Sequence, residues 1–372
     1  MNIKTITCHH VYNYGATLQA YALQSYLESI GHDVEIIDYR LPEHVRYELF
    51  TPYPKGKAYE LVKKYPILKF ILTPIQNRSM LKTWGRKRAF DRFDSQYLKI
   101  SEPTYRTYEA IKNNPPTADV FVAGSDQIWN PVMRNGNDPG YYLDFGSKKV
   151  KRISYAASFG VKSLSDAQGL FVKKQLTRFD AISVRESSGV NILKELGFGA
   201  VRCVDPVFLL DMNKWIKNLG LESKPEDYIM VYDFTHDDNN IKTFAEHLAK
   251  AKGLKIIAVN DFENTPYADI QINDADPKVF LQYILNARYI VANSFHATAF
   301  SLLFHKHFVT FPLVSQPNPS RMIDLLNSVG LLNHFQPIDQ AVIDENIKWD
   351  VIDNYLSQDT EQSMKYLHDS IM

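Results

Sequence analysis

The sequence predicts an α/β protein of two doubly wound halves facing across a cleft. Short apolar runs of the kind found in buried parallel strands alternate with stretches of helical period. The alternation comes in two series, one from the N-terminus and one from Tyr228. The chain has 372 residues, which at roughly 150 residues per domain leaves room for both. The seam falls at residues 211–227. It divides the chain into an N-terminal domain, 1–215, and a C-terminal domain, 216–372, that ends in helices.

The first unit reads strand, helix, strand. Residues 4–8 are β-prone. Leu18, Tyr21, Ala22, Leu23, Tyr26 and Leu27 keep a 3.6 period over 16–29, and Gly31 stands where a helix stops. VEIIDY (34–39) is the next strand, in a right-handed βαβ unit. Residues 41–118 break the pattern with prolines at 42, 52, 54, 66, 74, 103, 115 and 116. Within them, 55–92 hold eleven Lys or Arg against Glu60 and Asp91. The stretch reads as a basic, mainly helical insertion. It is either a solvated face or a surface for an anionic or lipid-linked partner.

Alternation then resumes. Strands are expected at 119–123, 152–156, 180–184 and 201–204, the last closing on Asp205-Pro206. The second series has strands at 228–232, 255–259, 288–292 and 307–311. Helices lie between them at 242–252, from Asp276-Pro277 to Asn286, and at 297–304. Asp276 is read as an N-cap with proline at the first helical position. That explains Asp274-Ala-Asp276 better than a metal site does. In doubly wound folds, ligands bind at the carboxyl ends of the strands.

Composition excludes several classes. Lys plus Arg and Asp plus Glu are both 42, so the formal charge is zero, against a general nucleic-acid binder. Apolar residues are 45% and charged residues 23%, ordinary for a globular chain. Cys8 and Cys203 form no CxxC pair, which suggests a reducing compartment. No signal-peptide pattern and no apolar run of about 18 residues is present. A cytoplasmic enzyme is expected. Phosphate-loop, dinucleotide, HExxH and zinc-spacing motifs are missing, and no metal is expected.

The strongest local pattern is Asn293-Ser294-Phe295-His296, between a strand and a helix. A histidine there points into the cleft beside the positive end of a helix dipole, where backbone N–H groups bind anions. It also exchanges a proton near neutral pH. The alternative is a histidine that caps or packs. His305 and His307 read as surface or packing residues. Arg185 stands where a buried β run meets a helix start, and its fork matches carboxylate or phosphate; the alternative is a salt bridge to Glu186 or to another loop. Arg321 opens a helix after Pro317-Asn-Pro-Ser320 and is a second anion clamp, or a solvated helix start. Two polar turns end strands in the first half. One runs from His9 through Asn13 to Gly15, and the other is Gly124-Ser125-Asp126-Gln127. Trp129 is a packing residue or a sugar platform.

Seven stretches in order resemble the polysaccharide pyruvyl transferase family: NYGATLQAYALQ (13–24), GHDVEIIDYR (31–40), FVAGSDQIWNP (121–131), ISYAASFG (153–160), AISVRE (181–186), VDPVFLL (204–210) and ANSFHATAFSLLF (292–304). The resemblance implies a GT-B-like fold of two Rossmann-like domains. It also implies transfer of an enolpyruvyl unit from phosphoenolpyruvate to two hydroxyls of a sugar, giving a pyruvate ketal and phosphate. Phosphoenolpyruvate would be a donor substrate, with no cofactor. His296 and Arg185 fall on the expected catalytic positions. Arg321, with Lys306 second, falls on an expected downstream basic position. Asn13, Gly15, Ser125, Gln127, Ser158, Asn293 and Ser294 are the further substrate-binding candidates within the matching words. Ala297 departs from the glycine usual after the histidine, as do Tyr12 and the His305-Lys-His307 turn from their counterparts.

The acceptor implied is a sugar in a glycan or a lipid-linked oligosaccharide, with peripheral contact to the inner membrane face through 55–92. Two alternatives stand beside this reading: a glycosyltransferase using a nucleotide sugar, and a non-catalytic carbohydrate-binding subunit.

Overall fold

The computed structural model describes residues 1–41, 61, 62, 64–68, 84–236, 238–313 and 319–372. The first half contains β1 (Asn2–Ile6), α1 (Tyr14–Ser29), β2 (Asp33–Tyr39), α2 (Trp84–Tyr97), β3 (Ile100–Tyr105), α3 (Tyr108–Asn113), β4 (Val120–Asp126), β5 (Lys151–Ala157), α4 (Asp166–Leu176), β6 (Ser183–Val184), α5 (Ser187–Glu195) and β7 (Val201–Arg202). After α6 (Met212–Leu219) come β8 (Tyr228–Tyr232), α7 (Asn239–Lys252), β9 (Lys255–Val259), β10 (Ile270–Ile272), α8 (Pro277–Asn286), β11 (Tyr289–Ala292), α9 (Phe295–Leu303), β12 (His307–Thr310), α10 (Ser320–Ser328) and α11 (Trp349–Ile371).

Two all-parallel sheets result. The first has seven strands in the order β3-β2-β1-β4-β5-β6-β7, and the second has five in the order β10-β9-β8-β11-β12. Each reverses direction once, between β1 and β4 and between β8 and β11. The expected α/β class with two doubly wound sheets is therefore present. Central strands are buried along nearly their whole length, as in β4 and β8. That is why they read as continuous apolar runs.

The insertion departs from its mainly helical reading, because β3 extends the first sheet within it. Pro103 obscured that strand; β3 is an edge, where a missing N–H is tolerated. The insertion's α2 also reaches the second half. Fully buried Arg86 donates from Nη2 to Tyr12 O and Asp261 Oδ1, each at 2.9 Å, and from Nη1 to Asn260 O at 2.9 Å and to the Tyr14 hydroxyl. Its guanidinium lies 4.3 Å from the Tyr14 ring centroid and 4.6 Å from that of Phe90. The basic stretch is thus partly interior, and Arg86 is not part of a surface for a membrane. Lys87 pairs with Asp91, while Lys64 and Arg88 are exposed. Most of 55–92, including Lys63, lies outside the described residues.

Helix α1 is buried on nearly every side because both halves pack on it. Tyr14 stacks on Phe280 of α8 at 4.4 Å, and Trp215 packs against Tyr21 and Phe300. The last helix, read above with the second half, lies against the first sheet. Leu367 and Ile371 are buried beside Ile3, Leu23 and Val34, each contributing about 1.5–3 kcal/mol. The Tyr366 hydroxyl donates to Ser154 O at 2.9 Å, and Val204 N–H donates to Ser363 Oγ at 3.0 Å. Among the described residues no helix is long and apolar enough to cross a membrane.

Candidate active site

The carboxyl ends of β1, β4, β8 and β11 flank both reversal points and open on one cavity of about 500 Å³. The loop after β1 contributes Cys8, Val11 and Asn13. The loop after β4 contributes Asp126 and Gln127. From the second half come Phe234, His236, Asp261, Phe262, and Asn293 through His296, with Arg321 at the start of α10. Ligands of doubly wound sheets lie at such switch points.

Two helix N-termini meet there. Ser294 is the N-cap of α9 and accepts from Ala297 N–H at 3.4 Å. Asn13 is the N-cap of α1 and accepts from Ala16 N–H at 3.1 Å. Helix starts present backbone donors and partial positive charge. His296, in the first turn of α9, leans on Gly15 in the first turn of α1. A Cβ on Gly15 would stand 1.9 Å from His296 Nδ1, so only glycine admits the ring here.

Beneath His296 lies Asp205, which is 1% exposed. Its Oδ2 takes Arg185 Nη1, stands 3.4 Å from His296 Nε2, and accepts from the Ser125 hydroxyl at 3.4 Å. Its Oδ1 accepts from Val207 N–H at 3.2 Å. Burial opposes the charged carboxylate, but His296 and Arg185 outweigh burial and hold Asp205 well below the usual carboxylate range. Arg185 Nη2 also lies 3.5 Å from Asp126 Oδ1. Burial alone would weaken its hold on the proton; Asp205, Asp126 and Glu186 reverse that. The Phe295 ring lies between two cations, 4.6 Å from the Arg185 guanidinium and 5.9 Å from that of Arg321. Burial, then repulsion from Arg185, lowers Arg321 to about 10, which leaves it charged at neutral pH.

The predicted residues divide into groups. Asn13, Gln127, Asn293, Ser294, His296 and Arg321 line the cavity. Gly15 and Ser125 lie directly behind it, against His296 and Asp205. Ser158 is fully buried, with its N–H donating to Asp126 O at 2.9 Å and its hydroxyl unpartnered. Arg185 does not face the cavity as expected. Asp205 and Asp126 capture it behind Phe295, so the salt-bridge alternative applies with partners other than Glu186. Lys306 is a second correction: α9 carries it to the helix's far end, where Nζ donates to Leu285 O at 2.9 Å. Trp129 is fully buried and stacked on Tyr142, hence a packing residue. Asp276 caps α8 through Val279 N–H at 2.7 Å.

Sequence reasoning missed Asp205, Asp126, His236, Asp261 and Phe262 as site residues. Asp205 and Asp126 had a signal, since Asp126 ends β4 and Asp205 follows β7 by three residues, on the side where ligands bind. Asp126 also adopts a left-handed backbone (φ 66°), which Asp tolerates better than most residues. Asp261 and Phe262 follow β9 without a motif. Among the described residues no group of three or more His, Cys, Asp or Glu is placed to hold a metal ion.

Two parallel Rossmann-like sheets with a polar, histidine-bearing cavity between them define a GT-B-like α/β protein. The sequence model of the polysaccharide pyruvyl transferase family matches residues 13–313, and the chain belongs to that transferase family. Solved structures with a similar course include the UDP-GlcNAc 2-epimerase of Methanocaldococcus jannaschii in complex with UDP-GlcNAc and UDP. It is 13% identical, with 87% of each chain covered and a TM-score of 0.46. The UDP-N-acetylglucosamine 2-epimerase of Rickettsia bellii is 11% identical over 100% of this chain and 97% of its own, with a TM-score of 0.47. An alpha-glucosyltransferase in complex with UDP and a 13-mer DNA is 9% identical over 99% and 95%, with a TM-score of 0.48. No curated protein matches the chain.

Proposed function

We propose that the protein transfers the pyruvyl unit of phosphoenolpyruvate to two hydroxyls of one sugar, forming a cyclic ketal and releasing phosphate. The observation that carries this is the cationic end of the cavity, where Arg321 and the N-termini of α1 and α9 surround His296. Phosphoenolpyruvate has a carboxylate and a phosphate. A guanidinium and two helix starts supply donors for both. Arg185, tied to Asp205 and Asp126, organises the floor of the site.

The acceptor sugar fits beside Phe234, His236, Asp261 and Phe262 of the lining. Asp261 is fixed through Oδ1 by Arg86 and by the Tyr232 hydroxyl at 3.0 Å. A carboxylate beside an aromatic ring suits sugar hydroxyls and the apolar face of a pyranose. The acceptor is a glycan or its lipid-linked precursor. We place the reaction in the cytoplasm, with exposed Lys64 and Arg88 near the membrane face.

Calorimetry with phosphoenolpyruvate and, in parallel, UDP-sugars tests this reading. Saturable binding of phosphoenolpyruvate that Arg321→Ala abolishes is the expected result. Binding of a UDP-sugar in its place would move the protein to the glycosyltransferases.

A further inference from the structure

The two nitrogens of His296 occupy different environments. Nε2 is sealed from solvent and faces Asp205 Oδ2 at 3.4 Å without a hydrogen-bond alignment to any group. Nδ1 lies on the other edge of the ring, beside Gly15 at the start of α1, and His296 lines the cavity. Nε2 is out of a substrate's reach, and Nδ1 is the ring nitrogen left for a substrate to meet.

Asp205 is itself fixed. Arg185, the Ser125 hydroxyl and Val207 N–H hold it from three sides. A carboxylate so held has one direction in which to attract an N–H of the imidazole. At 3.4 Å the charge of the carboxylate favours a proton on Nε2 over one on Nδ1.

We propose that Asp205 is a positioning residue that keeps the Nε2 proton of His296 in place, so that the transferable proton sits on Nδ1. This rests on the function proposed above. The histidine begins as imidazolium, and Nδ1 gives its proton to the methylene carbon of phosphoenolpyruvate. The carbon–carbon π pair forms the new C–H bond, and the N–H pair stays on nitrogen. The first sugar hydroxyl adds its lone pair to C2 and returns its proton to Nδ1. The second hydroxyl then displaces phosphate at C2. The bond from C2 to the phosphate oxygen breaks with its electron pair, and phosphate takes the second hydroxyl's proton. The histidine ends as it began. The charged group that faces it is Asp205; Asp126 and Glu186 act with Asp205 on Arg185 and Arg321, which flank the neighbouring Phe295.

The test is long-range proton–nitrogen NMR on protein labelled with ¹⁵N-histidine, with His296 assigned by its loss in His296→Gln. In the wild type, Nε2 should keep its proton as pH is raised while Nδ1 loses its own. In Asp205→Asn the neutral tautomer should shift toward a mixture of both nitrogens. A wild-type spectrum with the lasting proton on Nδ1 would overturn the proposal even if Asp205→Asn does not fold. An Asp205→Asn spectrum identical to wild type would also overturn it. Failure of phosphoenolpyruvate to bind the wild type would refute the functional reading separately, since the spectrum reports the pair without substrate.

Discussion

Gly15 and His296 come from opposite halves of the chain and touch so closely that no side chain fits between them. A methyl group on Gly15 would occupy the place of the imidazole. The first turn of α1 has no room to yield, because Tyr14 beside it is stacked on Phe280 and bonded to Arg86.

Gly15→Ala should therefore move the histidine while leaving both sheets intact. A single acid–base group supplies about 10²–10⁴-fold in rate. Phosphate release should fall by at least about 10²-fold, as in His296→Gln, while far-ultraviolet circular dichroism stays unchanged. Wild-type turnover in both variants would remove His296 from the chemistry.

If Arg321 holds the donor as proposed, it sets an upper pH limit on binding. Burial and the neighbouring Arg185 lower its guanidinium to about 10, so affinity for phosphoenolpyruvate should hold through neutral pH and decline as pH rises through that value. Arg321→Lys substitutes a point charge for a planar fork, and burial would lower that ammonium further. The variant should bind more weakly and lose affinity at a lower pH. Calorimetry across pH 7–10, as an approximate working range, would expose identical profiles if Arg321 makes no contact with the donor.

Asp94 gives a pH signature to stability. Burial, then the neighbouring Asp91, raises its carboxyl to about 8, against about 3.9 for an unfolded Asp. The folded state therefore binds a proton that the unfolded state lacks between those values. Its contribution is fully present below the unfolded value and is lost as pH rises through about 8. Asp94→Asn should unfold at higher urea than wild type at pH 8, with the gap closing toward pH 4. Equal midpoints at both pH values would show that Asp94 is ionised in the fold.

The insertion can be tested for two separate roles. Arg86→Met leaves Asp261 buried without its cation, a loss of about 3–5 kcal/mol, and should lower the melting temperature sharply. Neutralising Lys64 and Arg88 together should leave melting unchanged and weaken binding to anionic vesicles. A wild-type protein that ignores such vesicles would dismiss the membrane contact without touching the role of Arg86.

The legible parts of the site were those with a local cause. His296 was readable because Asn293 and Ser294 break off an apolar strand just before Phe295-His296 opens a helix. Arg321 was readable because it opens a helix after the proline-rich sequence Pro317-Asn-Pro-Ser320. Asp205 was seen as a strand ending only. Its meaning depends on Arg185, 20 positions away, and on His296 in a helix of the other half. Lys306 misled because it is near His296 in sequence, while His296 opens α9 and Lys306 lies past its other end. Arg86 misled because a run of basic residues normally marks a solvated face, and charge counting does not register the aromatic and carboxylate partners that enclose one member. Periodicity located the strands, except where proline masked β3.

The return of α11 to the first sheet has a mechanical consequence. The chain passes between the halves twice, once before β8 and once before α11 seats Leu367 and Ile371. A body attached to another by one strap can swing and twist freely. Attached by two, it is restricted toward rotation about the line joining the straps. Any breathing of the cleft is thus steered along one arc, and cutting away the last turns of the chain would release a degree of freedom as well as remove a patch of core.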